Sequence, residues 1–291
     1  MNIDDKQQHV ETDRIRLKQS AEHIIGQAAK TANMSSTNRP NITLYTDSTP
    51  NGIKISIALE ELGLQYKTEH INISTNKQKE DWYIEINPNG RIPAITDTHS
   101  DGQQIRLFEG GSILQYLAEE YDQKDHKISF PKGSREYYEC NNWLFWQHGG
   151  LGPMQGQANH FYRYAPEKIK YGIDRYINES RRLYGILDKH LNDSKSGFIV
   201  GDHISIADIT TVGWVIWAGW AGIDIEEFPN VKKWEEMMSA REGVSKGSAV
   251  PKPLKIKEML KKNPEELDEY AKNASKWIMQ GMDEDKKKNE G

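Results

Sequence analysis

Residues 42–63, ITLYTDSTPNGIKISIALEELG, pass from an apolar strand through a turn into an amphipathic helix. Ile42-Thr43-Leu44-Tyr45 is the strand. Ile55, Ala58, Leu59 and Leu62 follow helical spacing, and Gly63 stops that helix. Between them, Thr49-Pro50-Asn51-Gly52 places a hydroxyl and an amide at a helix N-terminus, and no cysteine. Backbone N–H groups there point outward and the macrodipole favours negative charge. Such a place suits a thiolate, so a bound small molecule would have to bring the sulfur. Taken alone, the same four residues also read as an ordinary turn.

Outward from this stretch the pattern alternates strand and helix to residue 121. Tyr66–Ile73 reads as a second strand and 77–85 as a polar helix. Ile92–Ile95 and Ile105–Phe108 read as short strands joined through an Asp101-Gly102 turn. A helix follows from Gly110, with Ile113, Leu114, Leu117 and Tyr121 on one face. The order βαβ then ββα implies a mixed sheet with helices against it, over 41–125.

Residues 122–133 read as a linker. From 133 to 250 only helical periods remain, interrupted by Gly149-Gly150-Leu151-Gly152-Pro153. Ser205-Ile206-Ala207-Asp208 is a capping box, flanked by Ile204 and Ile209 at staple spacing, and it opens a buried helix over Thr210–Trp220. Trp214, Trp217 and Trp220 are assigned to core. Residues 251–291 form a polar tail. Its helix starts at Asn263-Pro264-Glu265-Glu266 and carries a stripe of Leu267, Tyr270, Ala274, Trp277 and Ile278 for the body or a partner subunit. Residues 1–40 read as a polar arm whose weak helical pattern (Ile15, Ile24, Ile25) falls short of core density.

Composition narrows the class. A net charge of −5, with no Lys/Arg run interleaved with aromatics, gives no nucleic-acid footprint. No eighteen-residue apolar stretch or apolar leader is present, so neither a membrane span nor a signal peptide is expected. The single cysteine, Cys140, excludes an intramolecular disulfide and fits a reducing compartment, which points to the cytoplasm. No metal-ligand spacing occurs, and no metal is expected.

Two further segments converge with the turn. Asn87-Pro88-Asn89-Gly90-Arg91-Ile92-Pro93 carries an Ile-Pro pair at a strand opening, a candidate cis peptide that would face the Ile92 backbone toward a ligand. Phe108-Glu109-Gly110-Gly111 puts an acid and two glycines at a strand-to-helix junction. The helix N-terminus takes an anion and Glu109 a cation, which suits a zwitterionic amino-acid head. A small peptide with an amino-acid end and a thiol has the shape of glutathione.

On these residues the chain resembles the glutathione transferases. Its second half sharpens the likeness. Asn142-Trp143-Leu144-Phe145-Trp146-Gln147, Gly150-Leu151-Gly152-Pro153-Met154, His160-Phe161, Arg175-Tyr176 and Arg181-Arg182-Leu183-Tyr184 are similar to the bacterial nu-class enzymes and the related fungal nitrogen-regulator (prion) branch. The resemblance implies an N-terminal thioredoxin-like domain, then an all-helical domain, with glutathione as cosubstrate. It implies that Thr49 and Asn51 face the sulfur and stabilise an anion without a general base. By the same likeness Gln78 meets the glycine end and Ile92, beside Pro93, pairs with the cysteinyl backbone. Glu109 and Gly110 hold the γ-glutamyl head. Arg175 reaches across a homodimer interface to its carboxylate. The family generally has serine where this chain has Gly110; the N–H survives and a hydroxyl contact is lost.

Other readings stay open. Tyr45, at the end of the first strand, is a rival sulfur ligand or a core aromatic. Trp143, Phe145, His148, Phe161 and Tyr162 are candidates for an acceptor pocket, with His160 near them. Cys140 reads as a buried, inert thiol, and Asp208 as a folding residue through its capping box. The implied activity is reduction of small disulfides, with organic hydroperoxides beside them. Conjugation of electrophiles is the alternative, and a non-catalytic regulator is the alternative from another class.

Overall fold

The computed structural model describes residues 40–290; the N-terminal arm read from sequence lies outside the described residues up to 39. Contacts divide the described chain into a small unit, residues 40–41 with Asp97–Ile105, and a large one, Ile42–Thr96 with residues 106–290. In the small unit the Asn41 amide N–H donates to Asp97 Oδ1 and the Gly102 N–H to the His99 carbonyl, which closes the expected turn.

Four strands form a mixed sheet in the order β2-β1-β3-β4. β1 (Ile42–Thr46) alternates buried and half-buried residues, as a strand under helices should. It pairs in parallel with β2 (Tyr66–His70), Leu44 opposite Thr68. It pairs antiparallel with β3 (Ala94–Thr98), Leu44 opposite Ile95. β4 (Gln104–Phe108) completes the order. Helix α1 (Gly52–Leu62) ends at Gly63, whose φ of 71° supplies the left-handed cap expected there.

The second strand is shorter than its apolar pattern suggests. The Asn72 side chain accepts the Ser74 N–H at 3.2 Å and turns the chain into a 3-10 segment, Ile73–Thr75. The polar helix expected over 77–85 is two pieces, a 3-10 turn Lys77–Lys79 and α2 (Asp81–Ile86), because Glu80 between them is extended. β3 begins at Ala94 rather than Ile92, since Pro93 has no N–H for the ladder.

After α3 (Gly110–Tyr121) and the linker, the chain is helical: α4 (Arg135–Trp146), α5 (Gly152–Asn159), α6 (Lys170–Asp193), α7 (Ile206–Val215), α8 (Pro229–Ser239), α9 (Glu242–Gly247), α10 (Ile256–Met259) and α11 (Pro264–Glu290). The glycine-rich run does not interrupt the helices. Residues 147–151 continue α4 as a π-helical turn into α5. α7 stops at Val215, and Ala218–Ala221 is a 3-10 turn closed by Gly222 at φ 76°.

The two halves share one apolar core. Ser56 Oγ on α1 donates to the Gly247 carbonyl at 2.7 Å, and Arg241 grips Glu61 with two bonds of 2.9 and 2.7 Å. Under α7 the fully buried Asp208 carboxylate accepts the Ser205 and Ile199 N–H groups and the Trp234 indole N–H, all within 3.0 Å. The tail helix α11 starts where expected, with Asn263 Oδ1 accepting the Glu266 N–H at 2.8 Å. It lies on the body: Ala271 is buried, Ser275 Oγ donates to the Tyr164 carbonyl, and Tyr270 packs edge-on against Trp220 at 5.5 Å.

Candidate active site

The β1–α1 turn is built from its own backbone. Asp47 is its anchor: its carbonyl accepts the Thr49 N–H at 2.8 Å and its carboxylate accepts the Ser48 N–H at 2.8 Å. Thr49 Oγ1 accepts the Gly52 N–H at 3.0 Å, which orients the hydroxyl with its proton available to donate outward. Gly52 is obligatory, because a Cβ there would fall 2.0 Å from the Asp47 carbonyl oxygen.

Asn51 is fixed from the other half of the chain. The Trp214 indole N–H donates to Asn51 Oδ1 at 3.0 Å. An indole nitrogen only donates, so the contacting atom must be the amide oxygen. The Asn51 NH2 is left as a free donor. α7 comes close enough for this bond because Gly213 has no side chain; a Cβ there would lie 2.6 Å from the Pro50 carbonyl.

Three segments line one cleft of about 410 Å³. Thr49 and Asn51 line it from the first. Ile92 and Pro93 line it after a cis Ile92-Pro93 bond; Val250-Pro251 is also cis. Tyr83 Oη and Asn87 Nδ2 both donate to the Arg91 carbonyl at 2.7 Å and so hold the backbone just before Ile92. Glu109 and Gly110 line the cleft at the start of α3. The first helical bond there runs from the Ile113 N–H to the Glu109 carbonyl, so the N–H groups of the preceding turn have no helical partner. Glu109 has φ 68°, a conformation costing a non-glycine residue roughly 1–3 kcal/mol and concentrated at functional sites.

Gln78 also lines the cleft, buried, with Oε1 unpartnered. So does His148, from the π-helical turn, together with Trp277 from the tail helix α11. In the sequence Trp277 is only part of an apolar stripe, and nothing local marks it as a site residue.

Behind Glu109 and Gly110 lies Lys54, fully buried, with Nζ donating to Gln147 Oε1 at 2.7 Å. Burial lowers its pKa to about 7, against the opposing pull of Glu109. Burial, then the Lys54 charge, lowers His148 to about 4.

The remaining candidates sit elsewhere. Tyr45 packs against Trp82 and Tyr83 with its hydroxyl 3.4 Å from Thr96 Oγ1, outside the cleft lining. Trp143 is buried against Trp146 and His190, and Phe145 is exposed. Phe161 stacks on Tyr176, and Tyr162 lies under the Arg163 guanidinium. Arg175 is exposed on α6 and does not reach the cleft of its own chain. Cys140 is buried, and desolvation raises its thiol to about 11. Among the described residues no cluster of three or more His, Cys, Asp or Glu could hold a metal, and no helix is long and apolar enough to cross a membrane.

Residues 49–120 match the glutathione S-transferase N-terminal domain, and residues 159–242 match the C-terminal domain. The disulfide-bond oxidoreductase YfcG of Escherichia coli is 41% identical over 203 residues, 69% of this chain and 91% of that protein. The glutathione S-transferase-like protein tpcF of Aspergillus fumigatus is 40% identical over 219 residues, covering 72% of this chain and 95% of its own. A crystal structure of a glutathione transferase homolog from Lodderomyces elongisporus, with two GSH per subunit, superposes with a TM-score of 0.70 at 44% identity, over 72% of this chain and 99% of that one. The chain therefore belongs to the glutathione S-transferase family, with a thioredoxin-like N-terminal domain and a helical C-terminal one. The tail helix α11 lies beyond both matched segments.

Proposed function

We propose that the chain is a glutathione-dependent oxidoreductase of nu-class type that reduces small disulfides, with organic hydroperoxides as further substrates. The observation that carries this reading is the Thr49–Asn51 pair of free donors on a cleft with no protein thiol. YfcG, named a disulfide-bond oxidoreductase, supports the choice of chemistry among relatives. Glutathione-bound neighbours support the choice of cosubstrate.

In this reading the γ-glutamyl head lies at Glu109 and Gly110. The cysteinyl backbone meets Ile92, and the glycine end meets Gln78. Thr49 O–H and the Asn51 amide donate to the sulfur. A free thiol has a pKa of ~8.5, and lowering it by two units requires about 2.7 kcal/mol. The α1 N-terminus contributes roughly 0.3–2 kcal/mol. A hydrogen bond to a charged group adds about 1.5–3 kcal/mol. Two donors and a helix end therefore suffice, and no general base is needed.

The bound thiolate attacks one sulfur of a disulfide RSSR. The S–S bond breaks, a mixed disulfide GSSR forms, and RS⁻ leaves to take up a proton. A second glutathione thiolate attacks the glutathione sulfur of GSSR and releases the second RS⁻. The sum is two glutathiones oxidised to their disulfide for one RSSR reduced to two thiols. Arg175, exposed on α6, serves the partner's cleft in a homodimer.

The test is a parallel assay with a model mixed disulfide, an organic hydroperoxide and an aryl halide. Disulfide turnover is expected to dominate. Turnover of the aryl halide alone would assign conjugation instead. A folded protein inactive on all three would assign a regulator.

A further inference from the structure

His148 Nε2 is buried and has no hydrogen-bond partner, although the residue lines the cleft. Its other nitrogen, Nδ1, lies 2.9 Å from the Leu144 carbonyl oxygen. A carbonyl oxygen only accepts, so Nδ1 carries the proton. The Thr210 hydroxyl, 3.5 Å from the same Nδ1, spends its proton on Gln147 Oε1 at 2.8 Å. Burial and the nearby Lys54 keep the ring neutral at pH 7. Nε2 is therefore a bare acceptor.

Its placement is specific. A Cβ built on Gly110 would lie 3.5 Å from Nε2, and one on Gly111 would lie 3.3 Å from it. The imidazole edge thus occupies the space beside the first turn of α3 that a larger side chain at residue 111 would contest. A buried acceptor without a donor is destabilising, and a ligand donor would relieve that cost. Glu109, one residue before Gly110, brings a carboxylate to the same cleft. Two acceptors on residues that line one cleft suit a primary ammonium, which has three N–H donors to distribute.

We propose that His148 Nε2 accepts an N–H from the α-ammonium of the bound peptide's amino-acid head, sharing that cation with Glu109. The inference rests on glutathione occupying the Glu109–Gly110 end of the cleft. It makes His148 a binding residue that selects a free α-amino group.

The test compares dissociation constants for glutathione and for glutaryl-cysteinylglycine, the analogue in which hydrogen replaces the ammonium. Wild type is expected to prefer glutathione. His148→Phe should weaken glutathione binding about ten-fold, as loss of one bond to a charged group implies, and leave the analogue nearly unchanged. His148→Gln, which keeps a side-chain acceptor, should retain part of the preference and guards against a misfolded Phe variant. An unchanged glutathione-to-analogue ratio in both variants would overturn the role of His148 while leaving the cleft's assignment intact. Wild-type protein that binds neither compound would overturn both.

Discussion

The Trp214 indole N–H donates to Asn51 Oδ1 at 3.0 Å across 163 residues of sequence, and so leaves the NH2 of this cleft-lining residue as a free donor. The helical domain thereby sets the orientation of a group that the N-terminal domain presents. Asn51→Asp keeps the acceptor for Trp214 but removes both donors and adds a negative charge. It should slow disulfide reduction more than Asn51→Ala does. Trp214→Phe frees the amide to rotate and should lower kcat roughly three- to ten-fold, the scale of one neutral hydrogen bond. Steady-state rates check both, and equal rates in all three variants would remove Asn51 from the chemistry.

Gly213 permits that contact by proximity. Gly213→Ala would drive a methyl toward the Pro50 carbonyl, which lies 2.6 Å from the ideal Cβ position. The expected outcome is a stability loss of about 1–3 kcal/mol by overpacking. Activity of the folded fraction should fall together with it, since α7 then stands off the turn. Denaturant midpoints with rates on the same samples provide the check.

Asp208 is the opposite case, a buried acid whose partners are all structural. Asp208→Ala leaves the Ser205 and Ile199 N–H groups and the Trp234 indole N–H without an acceptor. Each unsatisfied group costs about 1–3 kcal/mol, so a loss of at least ~3 kcal/mol is expected. Glutathione affinity of the folded protein should be retained. A normal Tm in this variant would contradict the structural assignment.

Much of this architecture was legible along the chain because it is local. Gly52, the Ser205–Asp208 cap, Gly63 and the Ile92-Pro93 pair each act within a few residues, and short-range stereochemistry marks them. The glycine-rich run at 149–153 reads as a break because glycine opposes helix by about 1 kcal/mol per residue, but the helix runs through it and packing overrides that cost. Gly152 lets the helix pass Gln147, whose Nε2 would lie 2.7 Å from a Cβ. Trp214 and Trp277 were legible only as apolar positions. What makes them site residues is a contact made through the fold, and no spacing in the sequence encodes it.

Lys54 links stability to pH. Its folded pKa, about 7, lies below its unfolded value, near 10.5. Between these values the unfolded chain binds the proton and the folded one does not, so stability rises with pH across that window. Below about pH 7 both states are protonated and the dependence ends. Lys54→Met should remove this slope, which is at most about 1.4 kcal/mol per pH unit. Denaturation of both proteins at pH 7, 8 and 9 measures it; parallel curves would show that Lys54 does not titrate in the window.

Trp277 brings the tail helix into the wall of the cleft that Ile73 and Gln78 also line. Trp277→Ala should raise the KM for glutathione about three- to ten-fold through lost apolar contact, with a smaller change in kcat. An unchanged KM would place α11 outside the functional cleft.

The most direct measurement is the thiol pKa of glutathione bound to the protein, titrated by ultraviolet thiolate absorbance. Stabilisation by Thr49, Asn51 and the α1 N-terminus predicts a value about two units below the free thiol's ~8.5, moving back up in Thr49→Ala and Asn51→Ala. A bound thiol that titrates at the free value in the wild-type protein would contradict it.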